Sequence, residues 1–444
     1  MSHQSIASRP WMGILLSWFL ILPALHAQST LPTPAPAPDT LRQSLSQLDA
    51  QFLERNFQLL AQKYQVNVAE ANIVQAGLRY NPNVFFQTNF FNPQTGKFFQ
   101  YGQNSAADVA NSQFNKGGMT IQVQQLLMLA GKRSKLVAVA ESNRNLASLA
   151  FRDVLRTLRY QLYTTYANLF YDLQATALLR DEEVRQGQLI ESYRIAQRTG
   201  GVAPYEVTRL EAALRDLRAN IADYRGQIAD EQATLRVLLR QTANSFILPT
   251  DVPVVTPAMP QINVAIDSAL ANRPDAAIAQ EQVNYAQRSL TLEKARRTPD
   301  LLAGVIFDKY GNAFNNFTGL YTSIDLPIRN RNQGAIRAAE FNLKSAQAGT
   351  DNQQTIVQSD VLNAYEKLNT YYNLYNTLPA DYIARIQNIS VEATRSYNAR
   401  TIGLLDYLDK IRTYQQAQLN LINLRNNLFQ SQQLLNFTTN TKFF

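Results

Sequence analysis

The chain states one pattern twice, and that repetition constrains its fold more than any single motif does. Leu53, Gln65-Val66-Asn67, Ala69, Arg79 and Pro82 recur in the same order as Leu270, Gln282-Val283-Asn284, Ala286, Arg296 and Pro299, at a constant shift of 217 positions (Pro82 to Pro299). A second pair of segments, Gly200 to Glu206 and Arg400 to Asp406, aligns at a shift of 200 (Glu206 to Asp406). The protein is therefore a tandem duplication of a unit of about two hundred residues, too large to be the repeat of a solenoid. The smaller second shift means that copy two is shorter between its proline and its glycine turn. Copy one carries Asn92 to Lys116 between two strand-like runs, where copy two carries only Lys309 to Asn316. A connection that tolerates such shortening belongs on a surface.

The first residues define the compartment. Arg9 precedes an apolar run from Trp11 to Leu22, and Leu25-His26-Ala27 offers a small residue for cleavage, so residues 1–27 read as a secretory signal peptide. The mature chain is expected to begin near Gln28. Both histidines (His3, His26) and both tryptophans (Trp11, Trp18) lie in this segment, and the chain has 0 cysteines. With neither thiolate nor imidazole in the mature chain, structural or catalytic metal sites are not expected, and neither is a cofactor. Nucleophilic and acid–base chemistry also loses its commonest residues. Of 42 basic residues only Arg9 is removed, leaving an excess over the 34 acidic ones that is spread along the chain without a lysine cluster. Scattered arginines on helices are solvated faces, and nucleic acid is not an expected partner. Residues 28–44 form a proline-rich spacer, Leu31-Pro32-Thr33-Pro34-Ala35-Pro36-Ala37-Pro38 being extended and semi-rigid.

Beyond the spacer, two periodicities alternate. Val207, Leu210, Leu214, Leu217, Ile221, Tyr224 and Ile228 are spaced three and four apart, a heptad seam that Leu235 and Leu238 resume beyond Glu231. Lys132 to Arg198 contains no proline and only Gly187 as a breaker, so it can form one helix of roughly 100 Å at ~1.5 Å per residue. Arg331 to Asn398 is its counterpart. No compact domain could bury stripes of that length, so other helices must lie alongside. Strand signals follow the two prolines: Val84 to Phe91, Met119-Ile121-Val123, Leu301 to Phe307, and Leu320-Thr322-Ile324-Leu326. Pro82 and Pro299 end the helices before them. Strands of about ten residues suit a membrane barrel wall and equally a half-buried sheet. The crowding of Phe85, Phe86, Phe90, Phe91, Phe98, Phe99, Tyr101, Phe307, Tyr310, Phe314, Phe317 and Tyr321 into these segments favours the barrel, as interfacial girdles. Four strands cannot close a barrel alone, so this reading demands an oligomer.

The order of signal peptide, helix, Asn-Pro, strand pair, very long helix, glycine turn and heptad helix, repeated once, resembles the TolC-like outer-membrane efflux proteins over essentially residues 45–440. Leu326-Pro327-Ile328-Arg329-Asn330-Arg331-Asn332-Gln333-Gly334-Ala335-Ile336 is similar to the segment that ends the last strand in the heavy-metal (cobalt–zinc–cadmium type) branch. Many members of that branch carry a lipidated N-terminal cysteine, which this chain lacks. The resemblance implies a mainly α fold with a membrane β-barrel. Long coiled-coil helices would form an α-barrel, and four strands per chain would contribute to a 12-stranded barrel in a homotrimer embedded in outer-membrane lipid. The first repeat would span 45–241 and the second 261–444, with 242–260 as linker.

The resemblance also implies a periplasmic exit duct that opens when a periplasmic adaptor and an inner-membrane pump of the resistance-nodulation-division type dock. The turns Gly200-Gly201-Val202 and Thr401-Ile402-Gly403 match the docking tip. Asp406 and Asp409 match two acidic positions that ring its constriction, although two aspartates three apart on a helix also describe any solvated face. Tyr397 and Glu206 match a hydrogen-bonded latch of the closed tip. A second latch uses an arginine where this chain has Ile402, so it is missing or is replaced by Arg400. Other classes compete: a periplasmic adaptor, whose single hairpin would flank lipoyl-like strands, or a structural coiled-coil protein of an envelope secretion complex, and a carboxylate-dependent enzyme, which would need an open pocket with two positioned acids. The duplicated hairpins and heptad helices favour the duct.

Overall fold

The computed structural model describes residues 39–93, 95–100, 105–111, 117–256, 258–310, 314–379 and 381–444. The signal-peptide segment 1–27 and the proline run of the spacer lie outside these residues. The first repeat runs β1 (Asp39–Gln43), α1 (Leu45–Arg55), α2 (Phe57–Gly77), β2 (Asn83–Thr88), β3 (Phe91–Asn92), β4 (Lys97–Phe98), α3 (Ala106–Ala110), β5 (Met119–Leu127), α4 (Lys132–Arg198), α5 (Pro204–Leu239) and β6 (Ser245–Pro249). The second runs α6 (Ile262–Asn272), α7 (Pro274–Arg296), β7 (Leu301–Tyr310), β8 (Phe314–Ile324), α8 (Gln333–Asn376), α9 (Tyr382–Asn398) and α10 (Leu404–Thr439).

The duplication extends to single side chains. In copy one Asn56, 4% exposed, caps α2 through Leu59 N–H and donates from Nδ2 to the Leu238 carbonyl at 2.9 Å. Its counterpart Arg273, also 4% exposed, precedes α7 and donates from Nη1 to the Thr438 carbonyl at 3.3 Å. Each residue thus ties a short helix to the end of the last helix of its own repeat. Leu48 and Phe52 of α1 are matched by Ala265 and Ala269 of α6, all fully buried. Leu48, Phe52, Leu162, Tyr166, Leu235 and Ile247 belong to one core; Ala265, Ala269, Val357, Val361, Leu428 and Leu435 belong to the other.

The 67 residues of α4 form one uninterrupted helix, as the absence of proline predicts. Its counterpart does not. The expected helix over Arg331–Asn398 is divided into α8 and α9, because Pro379 has no N–H to donate and disfavours helical geometry at Leu378. The heptad seam of α5 is observed: Val207, Leu210, Leu217, Ile221, Ile228, Leu235 and Leu238 are buried.

Both segments read as spacer and linker contribute structure at their ends. Residues 39–43 and 245–249 pair as a two-stranded parallel sheet. Buried Gln232 donates to the Ile247 carbonyl at 2.7 Å and accepts from its N–H at 2.9 Å, so β6 is held against α5. Neither run alternates in hydrophobicity, which is why a strand was not expected there.

The four main strands form one antiparallel sheet in the order β2-β5-β7-β8, so the two repeats join through β5 and β7. Gly304 of β7 sits where an added Cβ would run into the Val123 carbonyl. Asp300, just before β7, accepts from Leu129 N–H at 3.1 Å and from Lys132 Nζ at 2.7 Å, linking the second repeat's first strand to the start of α4. Lys309 and Asn316, expected in the shortened loop, belong to strands, and Leu326 lies past the end of β8. In the longer loop of copy one, Phe90, Phe91, Phe98 and Phe99 pack with ring centroids 5.0–5.4 Å apart around the β3–β4 hairpin.

Candidate functional site

The two helical hairpins end in turns of the same design. After α4, Gly201 N–H bonds to the Ala196 carbonyl at 2.8 Å and Gly200 N–H to Gln197 at 3.1 Å; after α9, Thr401 N–H bonds to Ser396 at 2.9 Å and Arg400 N–H to Tyr397 at 2.9 Å. This is the six-to-one and five-to-two closure that satisfies the last carbonyls of a helix through a left-handed residue. Copy one places glycine there, with φ of 76° at Gly200. Copy two places Arg400, at φ of 57°, where a side chain costs about 1 kcal/mol relative to glycine. Gly403 occupies the cap position before α10, and Ala203 with Pro204 starts α5.

Both tips share one apolar cluster. Ile190 of α4, Leu210 of α5, Ala393 of α9, and Leu404, Tyr407 and Ile411 of α10 are buried together, with Tyr193, Tyr397 and Ile402 packed on them. Gly200, Gly201, Thr401 and Gly403 are exposed at the apex, while Val202 is half-buried. The hairpins are thus brought to a single end by hydrophobic contact between their last turns.

Within that cluster three tyrosines from three helices stack. Tyr397 lies 4.6 Å from Tyr407 at an interplanar angle of 27°, and 6.2 Å from Tyr193 at 15°. Burial, then the nearby charge of Glu206, raises the Tyr193 hydroxyl above its ordinary value; burial, then the charge of Glu182, does the same to Tyr407. The expected Tyr397–Glu206 hydrogen bond is not formed within the chain. Tyr397 is engaged through its ring, and Glu206 is the electrostatic neighbour of Tyr193 instead. Glu182 is fully buried and is held by Arg185 Nη2 at 2.7 Å.

Asp406 and Asp409 are both exposed in the first turns of α10, three residues apart and so on one face. The ion pairs found close to the tips, Arg194 with Glu191 and Glu211, Arg198 with Glu191, and Arg395 with Glu392, use other residues. Arg400 is exposed at the apex. Tyr193, Tyr407 and Glu182 escape sequence reasoning because nothing in a helical pattern reveals which residues of distant helices stack. Among the described residues no cluster of three or more metal-ligating acids, histidines or cysteines is present. No helix among them is long and apolar enough to cross a membrane.

Two helical hairpins joined at one end and a mixed-origin strand wall at the other, each built by duplication, define a channel-forming protein of the bacterial outer membrane. The chain belongs to the outer membrane efflux protein family, whose sequence pattern matches residues 48–239 and 265–441. It is similar to the cobalt-zinc-cadmium resistance protein CzcC of Cupriavidus metallidurans, at 22% identity over 409 residues covering 90% of each chain. In fold it is similar to CusC, with a TM-score of 0.70, 16% identity, and coverage of 89% of this chain and 92% of that one. The outer-membrane channel CmeC of Campylobacter jejuni gives a TM-score of 0.71 at 14% identity, covering 90% of this chain and 86% of that one.

Proposed function

We propose that the protein is the passive exit duct of a tripartite efflux system that exports heavy-metal cations. Three chains would each give β2, β5, β7 and β8 to a twelve-stranded barrel in the outer membrane and their hairpins to a helical tube in the periplasm. Two features favour this assembly. Among the described residues β2 and β8 are the edge strands of the sheet, and an edge strand is a template for pairing with another chain. Val84, Phe85 and Phe86 are consecutive and all exposed, so both faces of β2 lack cover within one chain. The name of the cobalt–zinc–cadmium relative supports the cargo class.

The observation that carries the gating role is the pair Asp406 and Asp409, exposed one turn from the shared tip. Three-fold symmetry would gather six carboxylates, a negative field that attracts cations and weakens with salt. Glu206, Tyr193, Tyr397 and Tyr407 form the layer that holds the hairpin ends together, and Arg400 lies at the apex beside it. Gly200, Gly201, Val202, Thr401, Ile402 and Gly403 are the surface for a periplasmic adaptor, with a resistance-nodulation-division pump beyond it. In planar bilayers, the double change Asp406→Asn with Asp409→Asn is expected to lower cation over anion selectivity while leaving the channel folded. An unchanged reversal potential in a salt gradient would remove these two residues from the constriction.

A further inference from the structure

One position of the α5 heptad seam is not apolar. Between Ile228 and Leu235, Glu231 takes the place a leucine would fill, and its Oε2 is buried with no hydrogen-bond donor beside it. Facing it from α4 is Asp172, in contact through its carboxyl group. The positions agree with the hairpin geometry: Asp172 lies 26 residues before the end of α4 at Arg198, and Glu231 lies 27 residues after the start of α5 at Pro204. Two carboxyl groups in contact in a half-buried helix–helix seam favour a proton shared between them, since two adjacent anions partly shielded from water repel each other.

We propose that Asp172 and Glu231 form a proton-held clasp between the two helices of the first hairpin, tight while the pair retains one proton and loosened when that proton is lost. The other groups at this level do not neutralise it. Asp230 on α5 adds negative charge next to Glu231, Tyr224 on α5 lies near Asp172 and bonds to Asn423 of α10, and Arg425 of α10 and Tyr375 of α8 act on Tyr171 of α4. Burial is the main reason that both acids titrate above their ordinary range, and the charge of Asp172 raises Glu231 further. Folded values above unfolded ones mean that the contribution to stability is complete in acid and is lost as pH rises. The clasp belongs to one repeat alone: the equivalent positions at the shift of 200 are Tyr372 and Ser431. The second hairpin is therefore an internal control, and the inference does not depend on what the channel carries.

Hydrogen exchange of the intact assembled protein tests it. Between about pH 6 and about pH 9, amides of residues 165–180 and 224–238 are expected to lose protection by about tenfold or more after correction for intrinsic rate, while residues 365–380 and 424–438 do not. Glu231→Gln, which keeps shape and a hydrogen bond without a titrating proton, should abolish the difference, and Asp172→Asn should do the same. Infrared spectra of the unaltered protein at neutral pH should contain a protonated carboxyl band, whatever the variants' folding. Equal loss of protection in both hairpins, an unchanged pH response in Glu231→Gln, or the absence of that band would each overturn the clasp.

Discussion

A cluster of charged residues lies where the repeats meet. Arg273 donates to Asp275 at 2.6 Å, to Asp360 at 3.0 Å and to the Thr438 carbonyl, while Arg156 reaches Asp153 at 2.7 Å and lies 4.5 Å over the Phe437 ring. Burial alone would raise Asp275, but hydrogen bonds and charge from Arg273, with Arg156, outweigh it and hold the carboxyl below its usual value. Removing Arg273 takes from Asp360 its cation at 3.0 Å and leaves Asp275 with Arg156 at 3.7 Å, so Arg273→Met is expected to cost about 2–3 kcal/mol in denaturant unfolding. Because Asp275 is depressed in the folded state, its contribution is present above its unfolded value near 3.8 and is lost as pH falls below it. The acid limb of the stability profile should accordingly flatten in Arg273→Met; an acid limb that stays as steep would assign it to other carboxylates. Copy one does the same job with neutral Asn56, and no residue of the helical pattern announces that Arg273 is a tie rather than a solvated charge.

At the level of elements, the two long hairpins differ in continuity. The first is a single helix of 67 residues returning as one of 36; the second is broken between Asn376 and Tyr382. Proline in a helix interior costs about 3 kcal/mol relative to alanine, so Pro379→Ala removes the main obstacle to joining α8 and α9. The variant is expected to increase hydrogen-exchange protection at residues 376–383 and to stiffen the second hairpin, lowering the frequency of opening events in bilayer recordings. Unchanged protection there would mean that packing by neighbouring helices, rather than the proline, holds the break. Pro379 carries the signal for this break, which the expectation of one helix over Arg331–Asn398 passed over because that segment matches its unbroken partner in length.

Across the whole molecule the apolar surface is too extensive for an isolated chain. Leu320 is 88% exposed on the edge strand β8, and Phe57, Leu60, Tyr64 and Val68 expose much of α2. Monomeric proteins rarely leave such contiguous apolar surface uncovered. The detergent-extracted protein is expected to run as a trimer, with dissociation accompanied by loss of strand signal in circular dichroism. A monodisperse monomer retaining its full secondary structure would rule out closure of the sheet between chains.

The amino-acid order alone determined the duplication, the unbroken α4, the α5 seam and the four strands, because each of these is a periodicity or a proline read within one segment. It also marked Glu231, as the one charged residue set into an apolar seam. Tertiary structure decided what only contact between distant segments can decide: that β5 pairs with β7 across the repeats, that residues 39–43 become a strand by meeting 245–249, and that Tyr193, Tyr397 and Tyr407 stack. The same holds for Tyr397 and Glu206, whose direct bond the family pattern suggested and whose actual neighbours depend on how the tips of α9 and α5 pack. A helical period states which face of a segment is buried; it carries no information about which segment buries it.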